Sequence, residues 1–166
     1  MDFFTQNLKC LQEYDPELAE RVASQSFPDN INVIRSKNGL PVPQIAGVTL
    51  HSQYRPLEEG DRTTVDFVID PKRKVMVFGL GFGYHIQALL KKQAGDLTVV
   101  EPLMSIFRAF MTCMDIRPFL PRVRFRIGET PAGLLARLET DHWNIFKHLP
   151  SIRIGEAYYS RLDEGL

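Results

Sequence analysis

The pattern most suggestive of chemistry is a glycine-rich turn placed between a predicted strand and a predicted helix. Its residues are Gly79, Gly81 and Gly83, continued by Tyr84 and His85. Glycines at such a junction let the backbone approach a ligand closely and let the amino terminus of the helix face it. The turn therefore predicts a small-molecule site. A tight turn with no ligand is the alternative, and packing is the alternative for His85.

A carboxylate stands at the tip of the next predicted strand. Residues 97–100 form an apolar run that Glu101 and Pro102 end. Ligands of open parallel sheets bind outside the carboxyl ends of the strands, where a carboxylate can accept hydrogen bonds from both hydroxyls of a ribose. Glu101 therefore predicts a nucleoside-containing ligand. An exposed acid at a strand end is the alternative interpretation.

A polar loop before the predicted sheet carries an imidazole, two hydroxyls and a guanidinium. Its residues are His51, Ser52, Tyr54 and Arg55. Such a loop can approach the glycine turn and complete a pocket for a phosphate or a sugar. A loop that is bonded to itself and braces the hairpin is the alternative. No third group orients His51, so a Ser-His nucleophile is not supported. The spacing of His142 and His148 predicts no metal site.

Residues 1–70 predict a helical and β-hairpin extension. Apolar residues at helical spacing predict a first helix, and Asp15 followed by Pro16 predicts the cap of a second one. A strand is predicted from Ile31, with a hairpin turn at 38–39 and a return through 40–42 or 48–50. Pro41 and Pro43 predict that the return at 40–42 lies at a sheet edge, because proline donates no ladder hydrogen bond.

Residues 71–166 predict a Rossmann-like domain in which strands and helices alternate. This alternation is typical of a doubly wound, mostly parallel sheet, so the fold class is α/β. The helix after the glycine turn is predicted to end at 94–95, and Ser105 and Thr130 are predicted caps of the next two helices. Residues 143–149 and 152–154 predict two further strands. Arg122, Arg124 and Arg126 predict a basic row on a solvated edge strand.

Composition excludes several function classes. The 166 residues include 20 basic and 20 acidic side chains, so no global charge draws the chain to nucleic acid or to anionic membranes. No apolar run is long enough to span a membrane, and the first residues lack the basic region of a secretory signal. Two cysteines without a CxxC spacing indicate reduced thiols and a cytoplasmic protein.

The Gly-x-Gly-x-Gly turn after a buried strand resembles the first motif of class I S-adenosylmethionine-dependent methyltransferases. The resemblance implies a methyltransferase-type sheet, ribose binding by Glu101 and adenine binding near Glu129; a first-turn acid that favours the helix dipole is the alternative for Glu129. Two features differ from this family. Val77 stands where an acidic residue is usual, and nothing after Trp143 matches the Asn/Asp-Pro-Pro-aromatic motif.

A second resemblance runs roughly from residue 38 to 129. The His-Ser-x-Tyr-Arg loop, the Gly-x-Gly-x-Gly-Tyr-His turn and Glu101-Pro102 together resemble the amino-terminal domain of Maf-type motility accessory factors. These bacterial proteins glycosylate flagellin with nonulosonic acids, and their glycosyltransfer domain lies downstream. The resemblance implies part of a longer protein or a shortened sheet, with flagellin or the downstream domain as partner.

Three functions follow from these patterns. The first is an accessory domain that binds a nucleoside or nucleotide sugar and is not catalytic alone, with a nucleotide as its ligand. The second is a methyltransferase that uses S-adenosylmethionine as cofactor. The third is a ligand-free scaffold for protein interactions. No catalytic residue is identified, so enzyme activity stays open.

Overall fold

Two helices open the chain in the computed structural model, which describes residues 2–92, 95–138 and 142–166. Helix α1 spans Phe4–Tyr14 and helix α2 spans Pro16–Ala23. The predicted cap of α2 is confirmed: a carboxylate oxygen of Asp15 accepts a hydrogen bond from the Leu18 N–H at 2.9 Å. The cap satisfies an amide that the helix itself cannot bond.

A small antiparallel sheet follows, with strands β1 (Ile31–Arg35), β2 (Pro41–Ile45) and β3 (Val48–Thr49) in that order. Both predicted returns are therefore strands, and the prediction of an edge position for Pro41 and Pro43 is wrong because β2 lies in the centre. The Pro43 carbonyl accepts the Leu50 N–H at 3.0 Å on the side away from β1. Since N–H and C=O of one residue share a side in an antiparallel strand, the missing N–H costs no bond to β1.

The second sheet has four parallel strands: β4 (Lys74–Phe78), β5 (Leu97–Glu101), β6 (Val123–Ile127) and β7 (Trp143–Lys147). Helices α3 (Pro56–Thr64), α4 (Tyr84–Lys92), α5 (Met104–Cys113) and α6 (Pro131–Arg137) precede or connect them. The strand order β6-β5-β4-β7 confirms the Rossmann-like α/β fold and the edge position of the basic strand. The predicted end of α4 at 94 lies outside the described residues.

Of the predicted caps of α5 and α6, one is confirmed and the other is wrong. Thr130 accepts the Gly133 N–H at 3.1 Å and caps α6 as predicted. Ser105 does not cap α5, because that helix begins at Met104 and its cap position is Leu103, which makes no side-chain capping bond. Instead, the Glu101 carboxylate accepts the Leu103 N–H at 3.0 Å, so an acid from the preceding strand takes part of the capping role.

The two faces of the parallel sheet bury separate apolar clusters. One face packs with α1, α2, α4 and α5 around Phe107 and Phe110. The other packs Met76 and Phe78 with α6 and the last helix. The first cluster also contains Leu50 and other residues of the amino-terminal extension, so apolar packing is continuous across residue 70. The proposed boundary between 1–70 and 71–166 stays a prediction.

Two helices follow β7: α7 (Leu149–Ile154) lies at the carboxyl ends of the strands beside Gly79, and α8 (Glu156–Gly165) packs on the face that carries Met76 and Phe78. The prediction of a strand at 152–154 is wrong, since these residues complete α7. Pro150 lies in the first turn of this helix, where proline is favoured, and Gly155 ends it. In the part of the chain that the structure describes, no helix has the length and hydropathy needed to span a bilayer.

Candidate functional site

The glycine turn has the geometry that its sequence predicts. Gly79, Gly81 and Gly83 have φ angles of 99°, 50° and 78°, in the left-handed region that side chains with a Cβ rarely occupy. The turn is pinned by hydrogen bonds from the Gly79 N–H to the Val100 carbonyl at 2.9 Å and from the Gly83 N–H to the Leu80 carbonyl at 3.0 Å. The backbone is therefore fixed tightly at the carboxyl tip of β4.

Side chains of the protein itself lie on this turn. A Cβ atom added to Gly79 would overlap the side chain of Ser151 in α7, and one added to Gly81 would overlap the imidazole of His51. The Gly79 position would also place a Cβ 3.2 Å from the Cβ of His148. The close backbone approach that glycine allows is thus used here by α7 and by the loop at 51–55.

Glu101 faces the turn, as predicted, but its two oxygens bond to the protein. Oε2 accepts the Leu80 N–H at 3.1 Å and Oε1 accepts the Leu103 N–H at 3.0 Å. The side chain is 2% exposed. Burial raises the pKa of Glu101 to about 7, although both backbone hydrogen bonds act in the opposite direction. The carboxylate ties the glycine turn to α5. Binding of a ribose at this position stays a prediction.

Three buried histidines meet beside the turn: His51 from the loop, His85 from the first turn of α4, and His148 from the end of β7. The rings of His85 and His148 stack at 4.0 Å between centroids and 6° between planes. The centroid of His51 lies 5.0 Å from that of His148 and 5.7 Å from that of His85. The cluster forms a polar layer between the glycine turn and the apolar core.

Hydrogen bonds fix the orientation of each ring. The His85 Nε2–H donates to the Gly79 carbonyl at 2.8 Å, and His51 Nε2 accepts the Phe82 N–H at 2.8 Å. His148 Nδ1 hydrogen-bonds with Ser151 Oγ at 2.7 Å. The Nδ1 atom of His85 is buried and has no hydrogen-bond partner among the residues that the structure describes. The bonds hold all three rings against the turn.

All three imidazoles are held in the neutral form. Burial lowers the pKa of His85 to about 4, although its bond to the Gly79 carbonyl raises it. Burial and then the neighbouring His85 lower the pKa of His51 well below its usual value. The pKa of His148 is also lowered, first by burial and then by His85 and His51. A proton on any one ring would place a charge in an apolar site beside two further rings.

The three histidines also form a candidate metal cluster, since one ligand nitrogen from each lies within 4.8 Å of the others. Their orientation does not fit a metal ion. The parallel rings of His85 and His148 direct their in-plane lone pairs along parallel planes, so these pairs do not converge on one point. His51 Nε2 already accepts a backbone N–H, which leaves its other nitrogen protonated. We therefore interpret the cluster as a stack of neutral rings.

The remaining residues of the polar loop turn away from the glycine turn. Ser52 Oγ accepts the N–H groups of Tyr54 and Arg55 at 3.1 and 3.2 Å, and the Arg55 guanidinium pairs with Glu58 at 3.0 Å. The Tyr54 ring is 60% exposed, with the ammonium of Lys37 at 4.6 Å from its centroid. Of the four predicted loop residues, His51 hydrogen-bonds to the turn, whereas the other three make no hydrogen bond to residues 79–83 within the described part of the chain. Substrate contacts by the other three stay a prediction.

Tyr84 and Glu129 both make contacts within the protein. The Tyr84 hydroxyl donates to the Pro41 carbonyl at 2.6 Å, and burial raises its pKa above the usual range. Glu129 pairs with Arg137 at 3.0 Å and with Arg126 at 3.8 Å. Tyr84 therefore joins α4 to the antiparallel sheet, and Glu129 balances two guanidinium groups at the end of β6.

Sequence reasoning missed His148 and Ser151 as site residues. The sequence relates His148 only to a metal spacing with His142, and it offers no function for Ser151. One signal is present: His148 lies near the carboxyl end of the predicted strand 143–149, and the carboxyl ends of parallel strands lie together.

Residues 49–138 match the family model described as the glycosyltransferase Maf N-terminal domain. This match covers more than half of the chain. The chain belongs to the Maf N-terminal domain family. The Maf resemblance seen in the sequence is thereby confirmed, whereas the likeness to S-adenosylmethionine-dependent methyltransferases stays a prediction.

Two other proteins are similar to this chain. A protein of Treponema pallidum (strain Nichols), described as uncharacterized, is 29% identical to this chain over an alignment 173 residues long. The alignment covers 95% of this chain and 59% of that protein. The structure of the Maf glycosyltransferase from Magnetospirillum magneticum AMB-1 matches with a TM-score of 0.64 and 18% identity, over 99% of this chain and 35% of that one. At that identity the likeness shows the fold alone. This Maf N-terminal domain thus spans only part of the length of both proteins.

The family model matches only part of the residues that form this site. The matched region contains the polar loop, the glycine turn and Glu101, but it ends before His148 and Ser151. His51, His148 and Ser151 are the side chains that lie on the turn, and we call them its cover. In this Maf N-terminal domain, the cover is therefore made partly by the matched region and partly by residues that follow it.

Proposed function

We propose that this chain is a non-catalytic accessory domain of a Maf-type protein, and that its glycine turn holds the domain together. The observation that supports this proposal is the occupation of the turn by His51 and Ser151, whose side chains take the space where a ligand would approach Gly79 and Gly81. Both oxygens of Glu101 are bonded to backbone amides in the same place.

The closed site offers little for catalysis. A nucleophile and its base must reach a substrate, and the base needs a third group that orients it. Ser151 and His148 do form a hydrogen bond, but both are buried and the groups around His148 include two neutral imidazoles. The pair therefore lacks the carboxylate and the access of a Ser-His-Asp triad.

A docking role fits a closed accessory domain in the cytoplasm. The partner we infer is the glycosyltransfer domain of a Maf-type protein, or the flagellin that such proteins glycosylate. The two cysteines are free thiols, in agreement with a reducing compartment.

The second candidate function is binding of a nucleoside or nucleotide sugar, and the composition of the cover favours it. The cover consists of polar side chains on a loop and on the six-residue helix α7. If these elements withdrew, the turn amides and Glu101 would face one opening at the carboxyl ends of the strands. S-adenosylmethionine could use the same opening, but Val77 supplies no acid for its methionine part.

Thermal unfolding with a ligand panel distinguishes these functions. The panel contains cytidine monophosphate, a cytidine sugar nucleotide and S-adenosylhomocysteine. A ligand at 100 times its dissociation constant stabilises a protein by about 2.7 kcal/mol, which raises the unfolding midpoint by roughly 5–10 °C for a chain of this size. We expect no such rise with any of the three.

Two variants make the outcome specific to the turn. Glu101→Gln removes the carboxylate beside the turn, and Glu58→Gln is the control because Glu58 is exposed and lies in α3. A rise with a cytidine ligand that persists in Glu58→Gln and disappears in Glu101→Gln would contradict a closed turn and support nucleotide binding. The same pattern with S-adenosylhomocysteine would support the methyltransferase hypothesis.

A further inference from the structure

One face of the parallel sheet is only half covered. Helices α6 and α8 pack on Met76, Phe78 and Val100, toward the carboxyl ends of the strands. The amino-terminal half of the same face forms the floor of an open groove of about 980 Å³. Since alternate residues share a face, Lys74 and Thr98 lie on this floor. The groove is at the opposite end of the strands from the glycine turn.

The lining of this groove is strongly basic. Seven of its described residues are Lys or Arg, and Asp96 is the one described acid among them. The chain as a whole has a formal net charge of zero, so the groove concentrates positive charge that the rest of the molecule balances elsewhere. Its volume is at the upper end of the range of small-ligand pockets.

Several of these cations have partners. Arg126 and Arg137 pair with Glu129, and Arg73 pairs with Asp70 at 3.4 Å. The Lys92 ammonium donates to three backbone carbonyls at the end of α3. Lys74 also has a contact, with its ammonium 6.0 Å from the centroid of the Trp143 ring. These five cations have a structural explanation.

Lys72 and Arg124 differ from them. Within residues 2–92, 95–138 and 142–166, no ion pair or side-chain hydrogen bond involves either side chain, and both are exposed. Arg124 lies on the floor, next to Thr98 in the register of β5 and β6, and Lys72 lies in the segment that leads into β4. These two cations, which have no ion-pair partner among the described residues, therefore line one groove.

Trp143 adds an independent observation. Its indole lines the groove, and its Nε1–H is buried without a hydrogen-bond partner among the described residues. Leaving a buried donor unpaired costs free energy, and an acceptor group beside the ring would reduce this cost.

We propose that this groove binds a small anion with two or more phosphate or carboxylate groups. Arg124 supplies a planar guanidinium suited to bidentate contact with such groups, and Lys72 supplies a second positive charge. The strands β6 and β7 are separated by three strand spacings, about 14 Å, so the ligand contacts the groove from the Arg124 side and extends toward Trp143. This site is independent of the proposed function of the glycine turn.

Calorimetric titration with pyrophosphate and with citrate tests the proposal and separates the two anion chemistries. We expect saturable binding of at least one of them at 20 mM salt, and at least tenfold weaker binding at 300 mM salt because both partners are charged. Arg124→Gln is expected to weaken binding at least fivefold, and Lys72→Gln at least threefold. Arg62→Gln is the control, since it removes an exposed arginine of α3 outside the groove.

The outcomes are decisive in both directions. No binding of either anion, or equal weakening in Arg124→Gln and Arg62→Gln, would overturn the proposal. Binding of polyglutamate without binding of either small anion would overturn it as well and would indicate an acidic protein partner. Glu101→Gln serves as a second control and is expected to leave anion binding unchanged, so that this site is distinguished from the glycine turn.

Discussion

The pKa of His85 leads to a prediction about stability at mild acidity. The pKa is about 4 in the folded protein, against 6.5 for an ordinary histidine. Because the folded state binds this proton less readily than the unfolded state, the contribution of His85 is complete above pH 6.5 and is lost as the pH falls toward 4. From pH 8 to pH 5, the loss from His85 amounts to about 2 kcal/mol of unfolding free energy.

Glu101 has the opposite effect, and this complicates the wild-type curve. Its pKa is raised from 4.5 to about 7, so burial of its charge destabilises the folded state increasingly between pH 4.5 and 7. Acidification therefore removes a cost at Glu101 while it adds one at His85. The difference between a variant and the wild type is consequently the informative quantity.

His85→Gln isolates the histidine contribution. The glutamine amide can still donate to the Gly79 carbonyl, but it does not titrate. We expect the variant to be less stable than the wild type at pH 8, and this difference to shrink by about 2 kcal/mol at pH 5. Urea unfolding followed by circular dichroism at pH 5, 6, 7 and 8 measures both values.

His142→Gln is the matched control because His142 is exposed. A difference that stays constant with pH for His85→Gln would refute the reasoning, since it would mean that His85 titrates alike in the folded and unfolded states.

Three further predictions concern the same framework. Glu101→Gln removes a hydrogen-bond acceptor but also a buried charge, so its cost in unfolding free energy is expected to be about 2.5 kcal/mol smaller at pH 8 than at pH 5; equal costs in urea unfolding would contradict the raised pKa. Gly79→Ala is expected to lower the thermal midpoint far more than Gly39→Ala, because both glycines have positive φ but only Gly79 would also overlap another side chain; similar midpoints would show that α7 does not cover the turn. Asn7→Ala is expected to cost about 2–4 kcal/mol in urea unfolding, because it removes three hydrogen bonds with the backbone around 111–116, whereas Asn32→Ala on the exposed side of β1 is expected to cost less than 1 kcal/mol.

The sequence predicted the parallel sheet well because its signals are local. Residues 75–78 and 97–100 are apolar runs that end at a glycine or at Glu101-Pro102, and such runs have few other interpretations. The errors lie where tertiary context decides. Pro43 is tolerated in a central strand because its nitrogen, which carries no hydrogen, faces away from β1. Residues 152–154 are helical although two isoleucines alternate with Arg153.

Local sequence patterns could not predict that the three histidines lie together. His51, His85 and His148 are far apart in the chain, and each one alone has an ordinary interpretation as a loop, helix or strand-end residue. Only the fold brings the loop, the amino terminus of α4 and the end of β7 to one edge. The sequence therefore predicted the position of the turn and the approach of the loop with His51, but not the contacts of Ser151 and His148 with the turn.

A glycine at a strand-to-helix turn shows that some atom approaches the backbone more closely than a Cβ would allow, but it does not show whose atom this is. A ligand and a side chain of the same chain make the same demand on the turn. Here the approaching atoms belong to His51 and Ser151.

The polarity of these side chains then becomes the informative feature, because an apolar cover would be a permanent part of the core. A cover of neutral imidazoles and a hydroxyl keeps the turn closed while its groups retain hydrogen bonds, and its stability depends on the protonation of the three rings. A closed Maf N-terminal domain with such a cover thus differs from an ordinary packed turn in one measurable respect, which is its sensitivity to acid.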